Sequence, residues 1–96
     1  MNGLESMENR VIWITGASSG IGEALAYQLN AQGDKVILSA RREDALIKVK
    51  NNCKFSENAL VLPLDLTDFE SLHSITKKAI SLYGKIDILI NNGGLS

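Results

Sequence analysis

Val11-Ile12-Trp13-Ile14-Thr15-Gly16-Ala17-Ser18-Ser19-Gly20-Ile21-Gly22 is the stretch on which the reading turns. Its first four residues are apolar and rich in β-branched side chains, and they run into Thr15-Gly16, the pattern of a short buried strand. Past the glycines a helical period begins, with Ile21, Leu25 and Leu29 at four-residue spacing and Ala24 beside them. Gly33 stands where a helix C-terminal cap is expected. A strand, a glycine-rich turn and a helix thus follow one another directly.

Outward from this unit the alternation continues. Lys35-Val36-Ile37-Leu38-Ser39-Ala40 reads as a second strand, and Glu43 to about Cys53 as a helix with Ala45, Leu46, Val49 and Cys53 on one side. Ala59-Leu60-Val61-Leu62-Pro63-Leu64 is a third apolar run, in which Pro63 cannot donate to a ladder and so suits a sheet edge or a strand end. Thr67 opens a third helix, Glu70 completing a capping box, with Phe69, Leu72, Ile75, Ala79 and Leu82 as the apolar stripe and Gly84 as the stop. Ile86-Asp87-Ile88-Leu89-Ile90 is a fourth strand, broken by Asn91-Asn92-Gly93-Gly94. The order β-α-β-α-β-α-β with short connections means an α/β fold, a doubly wound parallel sheet joined by helical crossovers. Continuous apolar runs agree, because such strands are covered on both faces. Residues 1–10 read as an N-terminal tail and residues 11–96 as one partial dinucleotide-binding domain of four strands and three helices.

Bulk properties narrow the function classes. Ninety-six residues make one small domain. The hydrophobic share of 45% and charged share of 22% are ordinary for a globular chain. Ten basic against eleven acidic side chains leave a net charge of −1, which gives no general attraction to nucleic acid or an anionic membrane. The first ten residues have no apolar run of the kind a leader needs, and no stretch is long enough to span a bilayer. Cys53 is a single cysteine, so no internal disulfide is possible. These features lead to the expectation of a cytoplasmic protein. His73, the single histidine, falls on the polar side of the third helix and has no metal-ligand spacing with Cys53. Trp13 and Tyr83 suit core or flanking positions better than stacking platforms.

The turn itself carries chemistry. Three glycines and two serines fall within the eight residues from Thr15 to Gly22. Gly16 permits a sharp turn, Gly20 lets backbone approach a pyrophosphate, and Gly22 lets the helix pack closely on the sheet. Main-chain N–H groups at the helix start, from Gly20, Ile21 and Gly22, with the hydroxyls of Ser18 and Ser19, can donate to phosphate oxygens. An ordinary strand-to-helix turn is the alternative. The spacing is not G-x-G-x-x-G, since three residues separate the first two glycines. Nor is it a P-loop, since no Lys-Ser or Lys-Thr pair follows the last one.

With Asp65-Leu66 after the third strand and Asn91-Asn92-Gly93-Gly94 after the fourth, Thr-Gly-Ala-Ser-Ser-Gly-Ile-Gly resembles the short-chain dehydrogenase/reductase family from about Val11 to Ser96. Leu62-Pro63-Leu64-Asp65-Leu66-Thr67, together with the residues from Asn91 to Ser96, is similar to the subgroup of that family related to dehydrogenase/reductase member 7. The resemblance implies a Rossmann-like sheet in strand order 3-2-1-4, with further elements beside the fourth strand. It implies that Asp65 contacts an adenine amino group with Leu66 alongside, although Asp65 also suits a helix N-terminus. It gives Asn91 a cofactor-side and strand-stabilising role. Gly93 stands where the family usually has Ala, which loosens the loop backbone there.

The end of the second strand bears on the cofactor. An acidic residue there would hydrogen-bond the ribose hydroxyls of NAD. This chain instead has Ala40-Arg41-Arg42, and a guanidinium offers paired donors suited to a phosphate. The expectation is NADP(H), with Arg41 as the direct contact and Arg42 supporting it. The alternative is a pair of solvated charges opening a helix.

In the family a serine and a Tyr-x-x-x-Lys pair carry out proton transfer, and a later asparagine completes the group. The tyrosines here are Tyr27 and Tyr83, followed four residues later by Ala31 and Asp87. Neither makes the pair, so the expectation is a cofactor-binding portion whose catalytic residues lie beyond Ser96. A carbonyl or alcohol substrate is implied only for a longer form. The competing reading is a non-catalytic nucleotide-binding or interaction module. In the chain as it stands, the fourth strand is expected to be an exposed apolar edge open to self-association.

Overall fold

The computed structural model describes residues 10–65 and 69–92. Its elements are β1 (Val11–Thr15), α1 (Gly20–Ala31), β2 (Lys35–Ser39), α2 (Glu43–Asn52), a 3-10 turn at Ser56–Asn58, β3 (Ala59–Val61), α3 (Phe69–Tyr83) and β4 (Ile88–Asn91). The four strands form one parallel sheet in the order β3-β2-β1-β4. This is the expected doubly wound Rossmann arrangement.

Alternation along β1 divides the core into two layers, as a strand's two-residue period requires. Ile12 and Ile14 point to one face, where they pack with Ala26 of α1, Leu46 and Val49 of α2, and Cys53. Val11 and Trp13 point to the other, against Ala79, Ile75 and Leu82 of α3. The indole Nε1 of Trp13 donates to Ser39 Oγ at 2.7 Å, which satisfies a polar atom that burial would otherwise strand. Burial also pushes the Cys53 thiol up, which keeps it protonated and unreactive at neutral pH.

The third strand shows how proline fits an edge. Regular pairing ends at Val61, yet the Leu62 and Leu64 N–H groups still donate to the carbonyls of Leu38 and Ala40, at 2.8 and 3.0 Å. Alternate residues of a parallel strand face the same neighbour, so Pro63 falls where its missing N–H is not needed. The fourth strand begins two residues later than expected and includes Asn91, which pairs in register with Thr15. The capping box at Thr67 lies outside the described residues.

The helix expected from the period of Ile21, Leu25 and Leu29 is present, and its fully buried line is Gly22, Ala26 and Asn30. Ile21 is 71% exposed and Ala24 is exposed, while Leu25 and Leu29 are half-buried. The helix is turned by about one residue because its smallest side chains face the sheet and let the backbones approach. Asn30 is fully buried and clamps the chain after α2: its Nδ2 donates to the Phe55 carbonyl at 2.9 Å and its Oδ1 accepts the Phe55 N–H at 2.8 Å. The helix ends in a Schellman motif, with Gly33 at φ 103° and N–H bonds from Gly33 to Asn30 O and from Asp34 to Leu29 O.

Charged groups fix the amino ends of the strands. Arg10 donates through Nε and Nη2 to the two carboxylate oxygens of the buried Asp34, at 3.1 and 2.8 Å, and its carbonyl accepts the Lys35 N–H. Asp87 Oδ2 accepts the Val11 N–H at 2.8 Å, while the Asp87 N–H donates to the Val11 carbonyl. Among the described residues, no helix is long and apolar enough to cross a membrane.

The Val11 N–H, and after it the Lys85 ammonium at 3.1 Å, holds the Asp87 carboxyl below its ordinary range. A carboxyl depressed on folding contributes stability that is complete above its unfolded pKa, about 3.9, and is lost as pH falls through the lower folded value. Between pH 5 and pH 2 the urea midpoint of the unmodified chain should therefore fall more steeply than that of Asp87→Asn. Parallel pH profiles for the two proteins would remove this role from Asp87.

Candidate cofactor site

The site lies at the carboxyl ends of β1, β2 and β4, where open parallel sheets place their ligands. β1 leaves the sheet at Thr15, and Gly16 takes φ 65°, a left-handed conformation that costs other residues energy. The Ala17 N–H then donates to the Ser39 carbonyl at 3.1 Å, which ties the turn to the end of β2. A second left-handed residue, Gly20 at φ 58°, starts α1.

The two later glycines have different reasons for being glycine. A Cβ on Gly22 would lie 2.1 Å from the Gly16 carbonyl oxygen and 2.9 Å from the Asn92 amide nitrogen. The close approach is therefore helix against turn, which refines the expected packing of helix on sheet. A Cβ on Gly20 would meet nothing within 4 Å. Open space thus lies in front of the main chain at the point where the helix begins.

That helix start has no side-chain cap. Ser19 occupies the N-cap position with extended backbone, and its hydroxyl makes no capping hydrogen bond. Its carbonyl accepts the Glu23 N–H at 3.3 Å. The first N–H groups of α1 carry the positive end of the helix dipole. Ser18 is half-buried, and Ser19 and Gly20 are exposed. Main-chain donors, two serines and an open cradle suit a diphosphate.

The opposite wall is built from β4. The Thr15 hydroxyl donates to Asn91 Oδ1 at 2.8 Å and accepts the Asn92 N–H at 2.9 Å. Asn92 Nδ2 reaches the Gly16 carbonyl at 3.4 Å. Asn91 is exposed, with its carboxamide oxygen occupied by Thr15. Thr15 and Asn92 are the two residues of this lattice that the motif reading did not single out. Their signal was position alone, next to the glycine turn and at the end of the fourth strand.

At the end of β2, Arg41, Pro63, Leu64 and Asp65 line a shallow open groove of about 380 Å³. Arg41 is exposed and, among the described residues, forms no ion pair with a carboxylate. Arg42 differs: its Nη2 lies 3.2 Å from Asp44 Oδ2. The structure thus brings Arg41 and Asp65 together and turns Arg42 toward its own helix. Leu66 and Gly93 lie outside the described residues. His73 is exposed, and among the described residues no group of three His, Cys, Asp or Glu side chains could hold a metal.

The family model described as short chain dehydrogenase matches residues 10–96. The chain belongs to that family. It is 52% identical over 95 residues to human dehydrogenase/reductase SDR family member 7, covering 94% of this chain and 28% of that protein. Among solved short chain dehydrogenase folds, it resembles a 3-ketoacyl-(acyl-carrier-protein) reductase from Brucella melitensis complexed with NADH. The TM-score is 0.74 and the identity 31%, over 83% of this chain and 32% of that one. It also resembles a variant of actinorhodin polyketide ketoreductase with NADPH, at TM-score 0.79 and 28% identity, over 90% of this chain and 33% of that one. The chain therefore spans less than a third of these relatives, and nicotinamide dinucleotides of both kinds occur with its family's fold.

Alanine at Gly22 should be destabilising even though Gly→Ala inside a helix ordinarily stabilises by about 1 kcal/mol. The overlap with the Gly16 carbonyl reverses the sign, and the expected loss is about 2 kcal/mol or more. Urea unfolding of Gly22→Ala beside the parent chain measures it, and a gain in stability would show that helix and turn are not in contact.

Proposed function

We propose that this chain is the cofactor-binding portion of an NADP(H)-dependent oxidoreductase acting on carbonyl or alcohol substrates. The observation that carries the reading is Arg41: an exposed guanidinium without a carboxylate partner among the described residues, in the groove beyond β2. No acidic residue stands at Ala40-Arg41-Arg42 to accept hydrogen bonds from ribose hydroxyls. The carbonyl and alcohol chemistry is drawn from the relatives, which their names describe as reductases and dehydrogenases.

In this reading, Gly16, Ser18, Ser19, Gly20, Ile21 and Gly22 hold the diphosphate through main-chain N–H groups and hydroxyls at the start of α1. Arg41 pairs with the 2′-phosphate, and Asp65 and Leu66 border the adenine. Asn91 holds the β1 end through Thr15 and, with Gly93, borders the cofactor at the end of β4. When bound, the dinucleotide supplies or accepts hydride. The residues of this chain contribute binding and orientation. Neither tyrosine suits proton transfer here. The Tyr27 hydroxyl is committed to Glu23 at 2.6 Å, which with burial pushes its pKa up. Tyr83 is raised by burial and packs against the buried cluster that contains Trp13.

Fluorescence titration of the purified chain with NADPH and NADH tests the cofactor assignment. NADPH should bind about ten- to a hundredfold more tightly, the range of a charge-assisted hydrogen bond contributing about 1.5–3 kcal/mol. Arg41→Asp should remove or invert that preference. Equal affinities in the unmodified chain would reject NADP(H) specificity.

The same reading includes self-association through β4, an edge strand whose Ile88 and Leu89 are 37% and 54% exposed. Sedimentation velocity should show a concentration-dependent species that Leu89→Lys shifts toward monomer. A monomer at every concentration would exclude it.

A further inference from the structure

The two arginines after β2 are adjacent in sequence but differ in what they face. Arg41 lines the open groove. The Arg42 side chain is 78% exposed and bends back to Asp44 Oδ2 at 3.2 Å, across the first turn of α2. Arg42 is the N-cap residue of that helix, with extended backbone, and its carbonyl accepts the Leu46 N–H at 3.2 Å. A cation at a helix start is opposed by the dipole, whereas Glu43 and Asp44 in the first turn are favoured by it.

The two members of the pair are not equally fixed. The Asp44 carboxyl is held below its ordinary range first by the Arg42 hydrogen bond and charge, and then by main-chain N–H groups of Ala45 and of Asp44 itself. Asp44 lies in the first turn of α2, where the helix dipole favours a carboxylate with or without Arg42, whereas Arg42 has no second carboxylate among the described residues. Arg42 is the member free to swing. Both side chains are about three-quarters exposed, so the pair is weak and can exchange for a stronger anion.

We propose that Asp44 sets the strength of 2′-phosphate recognition by competing for Arg42, so that Arg41 alone meets the phosphate unless Arg42 is released. This rests on the NADP(H) reading and assigns the second guanidinium a reserve role rather than a standing contact. A carboxylate in the first turn of α2 thus limits how tightly the site can hold the phosphorylated dinucleotide.

The test is a double-mutant cycle on the full 96-residue chain, with NADPH and NADH as probes and far-UV circular dichroism confirming that each variant is folded. Asp44→Asn, which keeps the side-chain shape and an acceptor for the main-chain N–H groups, should tighten NADPH about two- to fivefold, the range of an exposed ion pair. NADH should gain less than NADPH. Once Arg42→Ala is present, adding Asp44→Asn should give no further gain. Unchanged NADPH affinity in Asp44→Asn overturns the proposal. So does a gain of equal size with and without Arg42, which would mean that Asp44 only repels the phosphate. A parent chain that prefers NADPH while Asp44→Asn is silent sinks this inference and leaves the cofactor assignment standing. A parent chain without preference sinks both.

Discussion

A strand covered on both faces can let its chain out only at an end, and for β1 that end is Thr15. Everything in the candidate site follows from how the polar groups released there are satisfied. The Thr15 hydroxyl serves both Asn91 and the Asn92 N–H, so β4 is tied to β1 at its last residue. The Ala17 N–H takes the Ser39 carbonyl, so β2 is tied in as well. Between these bonds the backbone must reverse at Gly16, and the helix that follows must start within a few ångströms of the Gly16 carbonyl. Only a residue without Cβ fits there, which is Gly22. The cradle in front of Gly20 is thus the remainder left when three strand ends and one helix have been fastened together.

The two ends of the sheet use different chemistry for this fastening. At the amino ends the charges are spent in pairs. The buried Asp34 carboxylate is met in two-point fashion by Arg10, and Asp87 is shared between Val11 and Lys85. Removing one partner of a buried carboxylate leaves a charge that the interior cannot solvate. At the carboxyl ends the fastening is done by a hydroxyl, two carboxamides and main-chain groups, all neutral. The consequence is electrostatic asymmetry: one end is neutralised internally, and the other keeps the Arg41 guanidinium, without a carboxylate partner among the described residues, and an uncapped helix start facing solvent.

Much of this was readable in the sequence, for identifiable reasons. The parallel sheet followed from apolar runs alternating with helical periods, and Pro63 pointed to a sheet edge or a strand end, both of which hold for the third strand. The location of the turn followed from three glycines between a strand and a helix. What was not readable depends on side chains meeting across long separations. The period of α1 was read from the large residues Ile21, Leu25 and Leu29, whereas close packing put Gly22, Ala26 and Asn30 against the sheet. Hydrophobic size predicts the buried face of a helix only when the neighbouring layer leaves room for it. The Asn30 clamp on Phe55 spans 25 residues, and no local pattern marks a buried carboxamide as satisfied. Arg41 was expected as the direct contact with Arg42 supporting it, and what no local pattern showed is that Arg42 bends away toward Asp44.

That separation matters because the fold itself does not choose a cofactor. Solved relatives with the same arrangement of strands and helices carry NADH in one case and NADPH in another. In the proposed reading the main-chain donors at the glycine turn meet only the diphosphate, which the two dinucleotides share. Selection must therefore rest on side chains near the ribose, and in this chain that region combines two guanidiniums with the carboxylates of Glu43 and Asp44. The helix dipole favours the carboxylates at that position, while a 2′-phosphate favours the guanidiniums. Under the NADP(H) proposal, a carboxylate that strengthens the start of α2 would also draw a guanidinium away from the 2′-phosphate, and the two demands would meet at Asp44.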